Sequence, residues 1–300
     1  MKQLVILSGK GGTGKTSVTA AFAHLANAGR QQFSTVLADA DVDAANLELV
    51  LAPRVLEQED FQGGQLAVID QDTCGGCGRC AEVCRFDAIS EQAGIYQVDP
   101  IACDGCAACV YQCPTESISM QVQMAGKLFF SESRYGPLFH AALIPAQENS
   151  GKLVTLVKQR SRLLALDESR ELVLVDGPPG IGCPVISAVS GADLVLVVAE
   201  PTVSGTHDMD RVVRTAEHFG VPAIVCVNKA DIYPEGTVEI EKFCQERGVE
   251  LVGCIPFDQI VTESMVQGEA VTAYQPDSPA SQSLEKIWQK VIAKLGVLHE

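Results

Sequence analysis

The sequence predicts an α/β fold in which a mostly parallel sheet is flanked by helices, with a smaller α+β domain inserted into it. Three observations support this prediction: an apolar segment runs into a glycine-rich loop at the N-terminus, apolar segments alternate with helical patterns in the second half, and a cysteine-rich stretch separates these regions. Alternation of strands and helices is typical of parallel sheets, because neighbouring parallel strands need a crossover connection.

The N-terminal segment LVILSGKGGTGKTS predicts a strand, a phosphate-binding loop and the beginning of a helix. Its glycines and the pair Lys15-Thr16 match the spacing GxxxxGK[ST]. In such a loop the backbone N–H groups face the phosphates, the lysine reaches the β- and γ-phosphate oxygens, and the threonine holds Mg²⁺. The candidate nucleotide-binding residues of this segment are Gly9, Gly11, Gly12, Thr13, Gly14, Lys15, Thr16 and Ser17.

A second lysine, Lys10, follows the first glycine of the loop. The string KGGTGKT resembles the deviant phosphate-binding loop of the MinD/ParA/nitrogenase-iron-protein ATPases, which have the P-loop NTPase fold. In that family the extra lysine contacts nucleotide bound to the opposite subunit. The resemblance therefore implies ATP and Mg²⁺ as ligands, a homodimer in the ATP state, and catalytic roles for Lys10 and Lys15. The alternative for Lys10 is a solvated loop cation.

An aspartate-rich loop after the second predicted strand resembles switch I of this family. The resemblance implies that Asp41 is catalytic and orients or deprotonates the attacking water, and that Asp39 lies near the Mg²⁺ shell. An aspartate after a strand can also cap the helix that follows, and for Asp43 we favour that interpretation.

The segment ELVLVDGPPG predicts a buried strand that brings Asp176 to a glycine- and proline-rich turn. This turn resembles switch II of the same family. The resemblance implies that Asp176 orders Mg²⁺ through water. The residues expected around Mg²⁺ are Thr16, Asp39 and Asp176.

Asn228 follows a later apolar strand and resembles the base-recognition asparagine of P-loop proteins. By the same resemblance, the segment that contains Pro256 and Asp258 is expected to close over the base. Cys183 lies where the nitrogenase iron protein carries a cysteine for a cluster shared between subunits. Because no matching second cysteine is present, we favour a buried or reactive thiol at this position.

Between residues 58 and 121 the chain carries ten acidic residues, two arginines, no lysine and eight of the twelve cysteines. The sequence therefore predicts an ATPase domain over residues 1–57 and 122–300 and an inserted domain over residues 58–121. The cysteines form two runs with the spacing C-x2-C-x2-C-x3-C, and each cysteine of the first run recurs 29 residues later. The insertion is therefore an internal duplication.

The two cysteine runs closely resemble the bacterial ferredoxin with two [4Fe–4S] clusters. In that fold the fourth cysteine of each run ligates the other cluster. The implied ligand sets are Cys74, Cys77, Cys80 and Cys113 for one cluster, and Cys103, Cys106, Cys109 and Cys84 for the other. Zinc is the competing interpretation, but zinc knuckles do not need the third and fourth cysteines of both runs.

The formal net charge of −16 argues against sequence-independent binding to nucleic acid, which needs a concentrated basic surface. No stretch reaches about 18 uninterrupted apolar residues, so we expect a cytoplasmic protein. Because disulfides are rare in the cytoplasm, we expect the cysteines to bind metal. The C-terminal stretch predicts an amphipathic helix. We expect it to pack on the ATPase domain, because its three lysines offer little attraction to an anionic membrane.

Three functions are compatible with an ATPase fused to a ferredoxin-like domain. The first is electron transfer controlled by nucleotide, delivered to an unidentified redox partner. The second is a scaffold or carrier for iron–sulfur or metal-cofactor assembly, with an assembly protein as partner. The third is a redox-sensing positioning ATPase of the MinD/ParA type. We favour the first, because eight cysteines in two complete sites suit permanent redox centres, whereas a carrier should hold a labile cluster on few, exposed ligands.

Overall fold

The computed structural model describes residues 1–28, 32–144 and 150–297. These residues belong to two compact units. The first unit comprises Met1–Gln58, Leu128–Ala142 and Ser150–Glu300, and the second comprises Glu59–Lys127 and Leu143–Asn149.

The described strands are β1 (Lys2–Ser8), β2 (Thr35–Asp39), β3 (Arg54–Ile69), β4 (Ile89–Gln92), β5 (Ile95–Val98), β6 (Ile118–Ser133), β7 (Gly136–Leu143), β8 (Leu172–Pro179), β9 (Leu194–Ala199), β10 (Ala223–Asn228) and β11 (Glu250–Ile255). The described helices are α1 (Lys15–Ala28), α2 (Leu47–Leu51), α3 (Arg79–Glu82), α4 (Ala108–Gln112), α5 (Ser150–Asp167), α6 (Cys183–Val189), α7 (Val203–His218), α8 (Pro234–Arg247), α9 (Gln259–Val266), α10 (Val271–Tyr274) and α11 (Pro279–Leu295).

A nine-stranded sheet has the order β11-β10-β9-β1-β8-β2-β7-β6-β3. Parallel pairing joins the seven strands from β11 to β7. Strands β1, β8 and β9 are almost entirely buried, as expected for the centre of a parallel sheet that is covered by helices on both faces. The prediction of an α/β fold with a mostly parallel sheet flanked by helices is confirmed.

The strands β3 and β6 are unusually long, at 16 residues each. The predicted domain boundaries at 57/58 and 121/122 therefore fall inside strands that carry residues of both units. The pattern of β3 is polar, glycine-containing and mostly exposed, so it lacks the apolar alternation by which a strand is recognised.

The C-terminal helix α11 packs into the core of the first unit, as the sequence predicted. Its apolar face is buried, and the ring of Trp288 lies 4.9 Å from that of Phe22 in α1. The apolar residues of this face, all of them buried, are Leu284, Ile287, Trp288, Val291, Ile292 and Leu295. In the described part of the chain no helix has both the length and the apolar character needed to cross a membrane.

The second unit reproduces the 29-residue repeat in its backbone. Helices α3 and α4 follow residues in the left-handed conformation, Gly78 and Ala107, which are 29 positions apart. Two backbone hydrogen bonds are also exchanged between the halves. The amide of Asp70 donates to Ser117, and the equivalent amide of Asp99 donates to Ala88. The duplicated sequence therefore folds into two halves with equivalent local geometry.

Candidate functional site

The phosphate-binding loop connects β1 to α1, and two of its glycines are required by close packing. A Cβ atom at Gly9 would collide with Asp208, and one at Gly14 would collide with the side-chain amide of Asn228. Gly14 also has a φ of +95°, which disfavours other residues. Gly11, by contrast, faces open space. The loop therefore packs closely against neighbouring residues at Gly9 and Gly14 and is open at Gly11, as a phosphate site requires.

Two aspartates lie next to each other on the neighbouring strands β2 and β8. Asp39 and Asp176 are paired in register and are fully buried. The hydroxyl of Thr16 donates a 2.6 Å hydrogen bond to Asp176, and the hydroxyl of Thr19 lies 3.2 Å from the other oxygen of that carboxylate. The structure thus brings Thr16 to Asp176 as the sequence predicted, and it adds Thr19.

The loop after β2 is organised by Asp39. Its two carboxylate oxygens accept hydrogen bonds from the backbone N–H groups of Asp41 and Leu47, at 3.1 and 3.0 Å. Asp41 is 8 % exposed, and its carboxylate lies 3.9 Å from the ammonium group of Lys15. Lys15, one of the two lysines predicted to be catalytic, and Asp41, the predicted water-orienting aspartate, are therefore neighbours. Asn46 precedes α2, and its side-chain amide donates a 2.8 Å hydrogen bond to the carbonyl of Ala44.

Burial gives these carboxyl groups unusual protonation behaviour. Burial raises the pKa of Asp39 well above its ordinary value, and the nearby charge of Asp176 raises it further. Burial raises the pKa of Asp41 to about 6, although Lys15 opposes this shift. The pKa of Asp176 is also raised by burial. Three buried carboxyl groups and one buried lysine thus lie at this edge of the sheet, so ionising all three carboxyl groups would leave an excess of negative charge there.

A divalent cation fits this excess of charge. A threonine hydroxyl and carboxylate oxygens are the ligands that Mg²⁺ takes in P-loop sites, where most of its remaining partners are phosphate oxygens and water. In the part of the chain that the structure describes, no three His, Cys, Asp or Glu side chains are arranged to hold an ion by themselves. The structure therefore brings the three residues predicted around Mg²⁺ together, with Thr16 hydrogen-bonded to Asp176 and Asp39 paired in register with Asp176.

The predicted base-binding residues have mixed environments. Asn228 donates a 2.8 Å hydrogen bond to the carbonyl of Thr13 and accepts one from the backbone N–H of Lys229, so its side chain supports the phosphate-binding loop. Pro256 directly follows β11 and is half-buried. One oxygen of Asp258 caps α9, while the other is buried without a hydrogen-bond partner.

Other polar groups of the loop also differ in their partners. The hydroxyl of Thr13 is buried and makes no hydrogen bond to any residue that the structure describes. That of Ser17 contacts the sulfur of Met265 at 3.1 Å. A buried donor without a partner is costly, so the Thr13 hydroxyl is suited to an oxygen of a bound phosphate.

Lys10 is not a freely solvated cation. Its ammonium group lies 3.0 Å from the carboxylate of Glu200, which follows β9. Lys229 binds the other oxygen of the same carboxylate at 2.6 Å. The sequence analysis did not identify Glu200, because no local motif marks it.

The family comparison bears directly on this site. The model of the CobQ/CobB/MinD/ParA nucleotide-binding domain, CbiA, matches residues 4–271. The chain belongs to this family. Its phosphate-binding loop and parallel sheet are therefore those of a MinD/ParA-type P-loop ATPase.

Relatives and solved structures agree with the family assignment. An uncharacterised protein of Methanocaldococcus jannaschii is 33 % identical over 294 residues, covering 96 % of each chain. MinD of Pyrococcus horikoshii, solved with Mg-ADP, matches with a TM-score of 0.57 and 19 % identity, covering 97 % of this chain and 95 % of that one. An iron–sulfur cluster carrier protein of the same organism is 28 % identical over 141 residues, covering 42 % of this chain and 47 % of the relative.

The family name concerns nucleotide binding and says nothing of the cysteine runs. None of the twelve cysteines forms a disulfide. Within the second unit, Cys80 and Cys109 are buried, and burial raises the pKa of each thiol. The neighbouring thiols of the same run raise these pKa values further, so the first three cysteines of each run lie near one another.

Six of the eight run cysteines pack against one small apolar core of the second unit. Cys77 and Cys106, the second cysteine of each run, are exposed instead. Among the described residues, no three of these cysteines are arranged to hold a metal ion by themselves. Cys183 lies outside the runs, is exposed and begins α6.

Proposed function

We propose that the protein is a homodimeric ATPase whose nucleotide state controls electron transfer by two [4Fe–4S] clusters in its second unit. The observation that carries this proposal is the duplicated cysteine repeat, which occurs in sequence and in backbone geometry within the same chain as a nucleotide site. A permanent pair of clusters accounts for eight cysteines better than a single labile one does.

The nucleotide site supports the ATPase part of the proposal. Lys15 and the loop N–H groups would bind the phosphates, and Thr16 and Asp176 would hold Mg²⁺, which supplies neutralisation of the developing phosphate charge. Asp41 would orient the attacking water. A carboxyl group with a pKa of about 6 can accept a proton near neutral pH, which suits this role. The base would lie near Asn228, Pro256 and Asp258.

The proposed ligand sets cross between the two runs, and one contact supports the crossing. Thr115 lies 3.5 Å from the sulfur of Cys113 in the second run. Its methyl group would be 3.3 Å from a Cβ atom at Gly75, which lies in the first run. Cys113 is thus close to the loop of Cys74, Cys77 and Cys80. When bound, the clusters would supply one-electron chemistry.

The composition of the purified protein tests the cluster assignment. We expect about eight iron atoms and eight acid-labile sulfides per chain. The variant Cys113→Ala should lose the cluster of Cys74, Cys77 and Cys80 selectively, whereas Cys244→Ala, a buried thiol outside the runs, should lose none. Stoichiometric zinc without charge-transfer absorbance would overturn the assignment, and loss of the other cluster in Cys113→Ala would overturn the ligand sets.

Redox titration tests the control by nucleotide. If nucleotide shifts the cluster potential, then reduction must shift nucleotide affinity by the same free energy. A coupling of about 1.4 kcal/mol corresponds to a tenfold change in affinity and to about 59 mV for a one-electron couple. Titrations with ADP and with a non-hydrolysable ATP analogue should therefore differ. Equal potentials together with electron delivery that ignores nucleotide would contradict the proposal.

Cofactor assembly is the second candidate function. It is favoured by the partial relatives, which are iron–sulfur cluster carrier proteins. A carrier would pass its cluster to an acceptor protein lacking one, and a redox protein would keep it. Incubating the reconstituted protein with an apo-ferredoxin and measuring the iron in both proteins separates the two functions. Transfer of iron that depends on ATP would favour assembly.

A further inference from the structure

The carboxylate of Glu200 binds two lysines of the nucleotide site at once. Lys10 lies 3.0 Å from one oxygen and Lys229 lies 2.6 Å from the other. Lys229 also donates a 3.3 Å hydrogen bond to the carbonyl of Gly12, so the pair is attached to the phosphate-binding loop itself. The Glu200 side chain is only 13 % exposed, whereas that of Lys10 is 35 % exposed.

The charge environment shows that Glu200 is ionised. Although burial raises the pKa of Glu200, hydrogen bonds from Lys229 and Lys10 bring it below its ordinary value. An ionised carboxylate that is this buried needs a cation, because leaving it unpaired would be costly. The two lysines are about equally exposed, at 35 % for Lys10 and 34 % for Lys229, but the Lys229 ammonium group has the additional hydrogen bond to the carbonyl of Gly12.

We propose that Glu200 is a positioning residue that holds Lys10 against its own subunit and releases it only when ATP bound to a second subunit competes for it. This inference rests on the proposed function, a homodimeric ATPase, with Lys10 in the role that the family resemblance implies, namely contact with nucleotide bound to the opposite subunit. Lys229 makes release possible, because it keeps the Glu200 carboxylate paired after Lys10 leaves. Glu200 therefore opposes dimerisation, and Lys229 favours it.

The nucleotide-free protein provides the first test. Lys10 should react slowly with an amine-acylating reagent, followed by mass spectrometry, because its ammonium group is paired. In Glu200→Gln the reaction at Lys10 should accelerate about threefold to tenfold, since one partly exposed ion pair is lost. The matched control is Glu246→Gln, which removes the exposed pair with Lys242. Reactivity at Lys10 that does not change in Glu200→Gln would overturn the inference.

Dimerisation provides the second test, with two variants that should act in opposite directions. With Mg²⁺ and a non-hydrolysable ATP analogue, Glu200→Gln should dimerise at a three- to tenfold lower analogue concentration than the original chain. Lys229→Gln should need a higher analogue concentration to dimerise, because Lys10 is then the one lysine of the pair left to bind the Glu200 carboxylate. Sedimentation measures both. Weaker dimerisation of Glu200→Gln, or a shift of both variants in the same direction, would overturn the inference.

The two tests also separate this inference from the proposed function. Acylation of Lys10 is measured without nucleotide and does not depend on a dimer. If the original chain never dimerises with the analogue, the proposed function fails, even where the acylation result supports the pairing of Lys10 with Glu200. If the original chain dimerises but Glu200→Gln behaves like Glu246→Gln in both assays, the inference about Glu200 is wrong and the proposed function is unaffected.

Discussion

The nucleotide site and the cysteine region are built in different ways. The nucleotide site uses long elements of the first unit, such as the 14-residue helix α1 and the buried strands β1 and β8. The cysteine region uses helices of four and five residues and exposed loops. Helices this short are unstable by themselves. The fold alone therefore assembles the nucleotide site, whereas under the proposed function we expect the cysteine region to depend on its clusters.

The largest expected effect follows from this dependence. Removal of iron should unfold the second unit and leave the first unit folded, because metal binding supplies folding free energy to a small centre. Hydrogen exchange should accelerate at least about a hundredfold at the amides of Asp70 and Asp99 and remain slow in β1. The single tryptophan, Trp288, lies in the core of the first unit and should keep its fluorescence. Equal protection with and without iron would contradict the comparison.

The two lysines of the phosphate-binding loop should separate binding from dimerisation. Lys15→Ala removes a buried cation of the site and should weaken nucleotide binding about a hundredfold, since charge-assisted contacts to phosphate are lost. Lys10→Ala should keep monomer affinity and lose ATP-dependent dimerisation. Calorimetry and sedimentation measure the two quantities. Normal dimerisation of Lys10→Ala would show that the assignment to the partner's nucleotide is wrong.

The buried charge of the nucleotide site should cost stability in a pH-dependent way. Burial raises the pKa of Asp41 to about 6 in the folded state, against about 4 in the unfolded chain, so folding favours the protonated form. Its contribution is present below pH 4 and is lost as the pH rises through 6, at a cost of about 2–3 kcal/mol.

Asp41→Asn should therefore raise the free energy of unfolding of the first unit by about 2 kcal/mol at pH 7.5, and have little effect at pH 4. Urea unfolding without nucleotide or Mg²⁺, followed by Trp288 fluorescence, measures this difference. A gain that is the same at both pH values would contradict the buried-charge explanation. With ATP the same variant should accumulate as a dimer, because the water is no longer oriented.

The smallest effect concerns Thr19, which the sequence analysis missed. Its buried hydroxyl lies 3.2 Å from Asp176 and 2.9 Å from the carbonyl of Lys15. Thr19→Val should weaken Mg²⁺-dependent nucleotide binding about fivefold, the value of one hydrogen bond. Thr215→Val is a matched control, because that hydroxyl also bonds a helical carbonyl but lies on an exposed face. Equal nucleotide affinities of the two variants would show that Thr19 does not contribute to the nucleotide site.

The sequence by itself determined those features that depend on local spacing. The phosphate-binding loop, the strand that ends at Asp39 and the strand that carries Asp176 were predicted, because each needs only a short run of residue types in one order. The packing of α11 was predicted from its periodic apolar face. The ferredoxin-like assignment of the cysteine runs also depends on local spacing, and it stays a proposal.

Tertiary structure decided which distant residues complete the site. Glu200 reaches Lys10, and Asn228 supports Thr13 from 215 positions away, because the carboxyl ends of the parallel strands meet at one edge of the sheet. It also decided that β3 is one long strand, although its sequence is polar. Pairing within a sheet is a non-local interaction, so the sequence of one segment does not identify the strand with which it pairs.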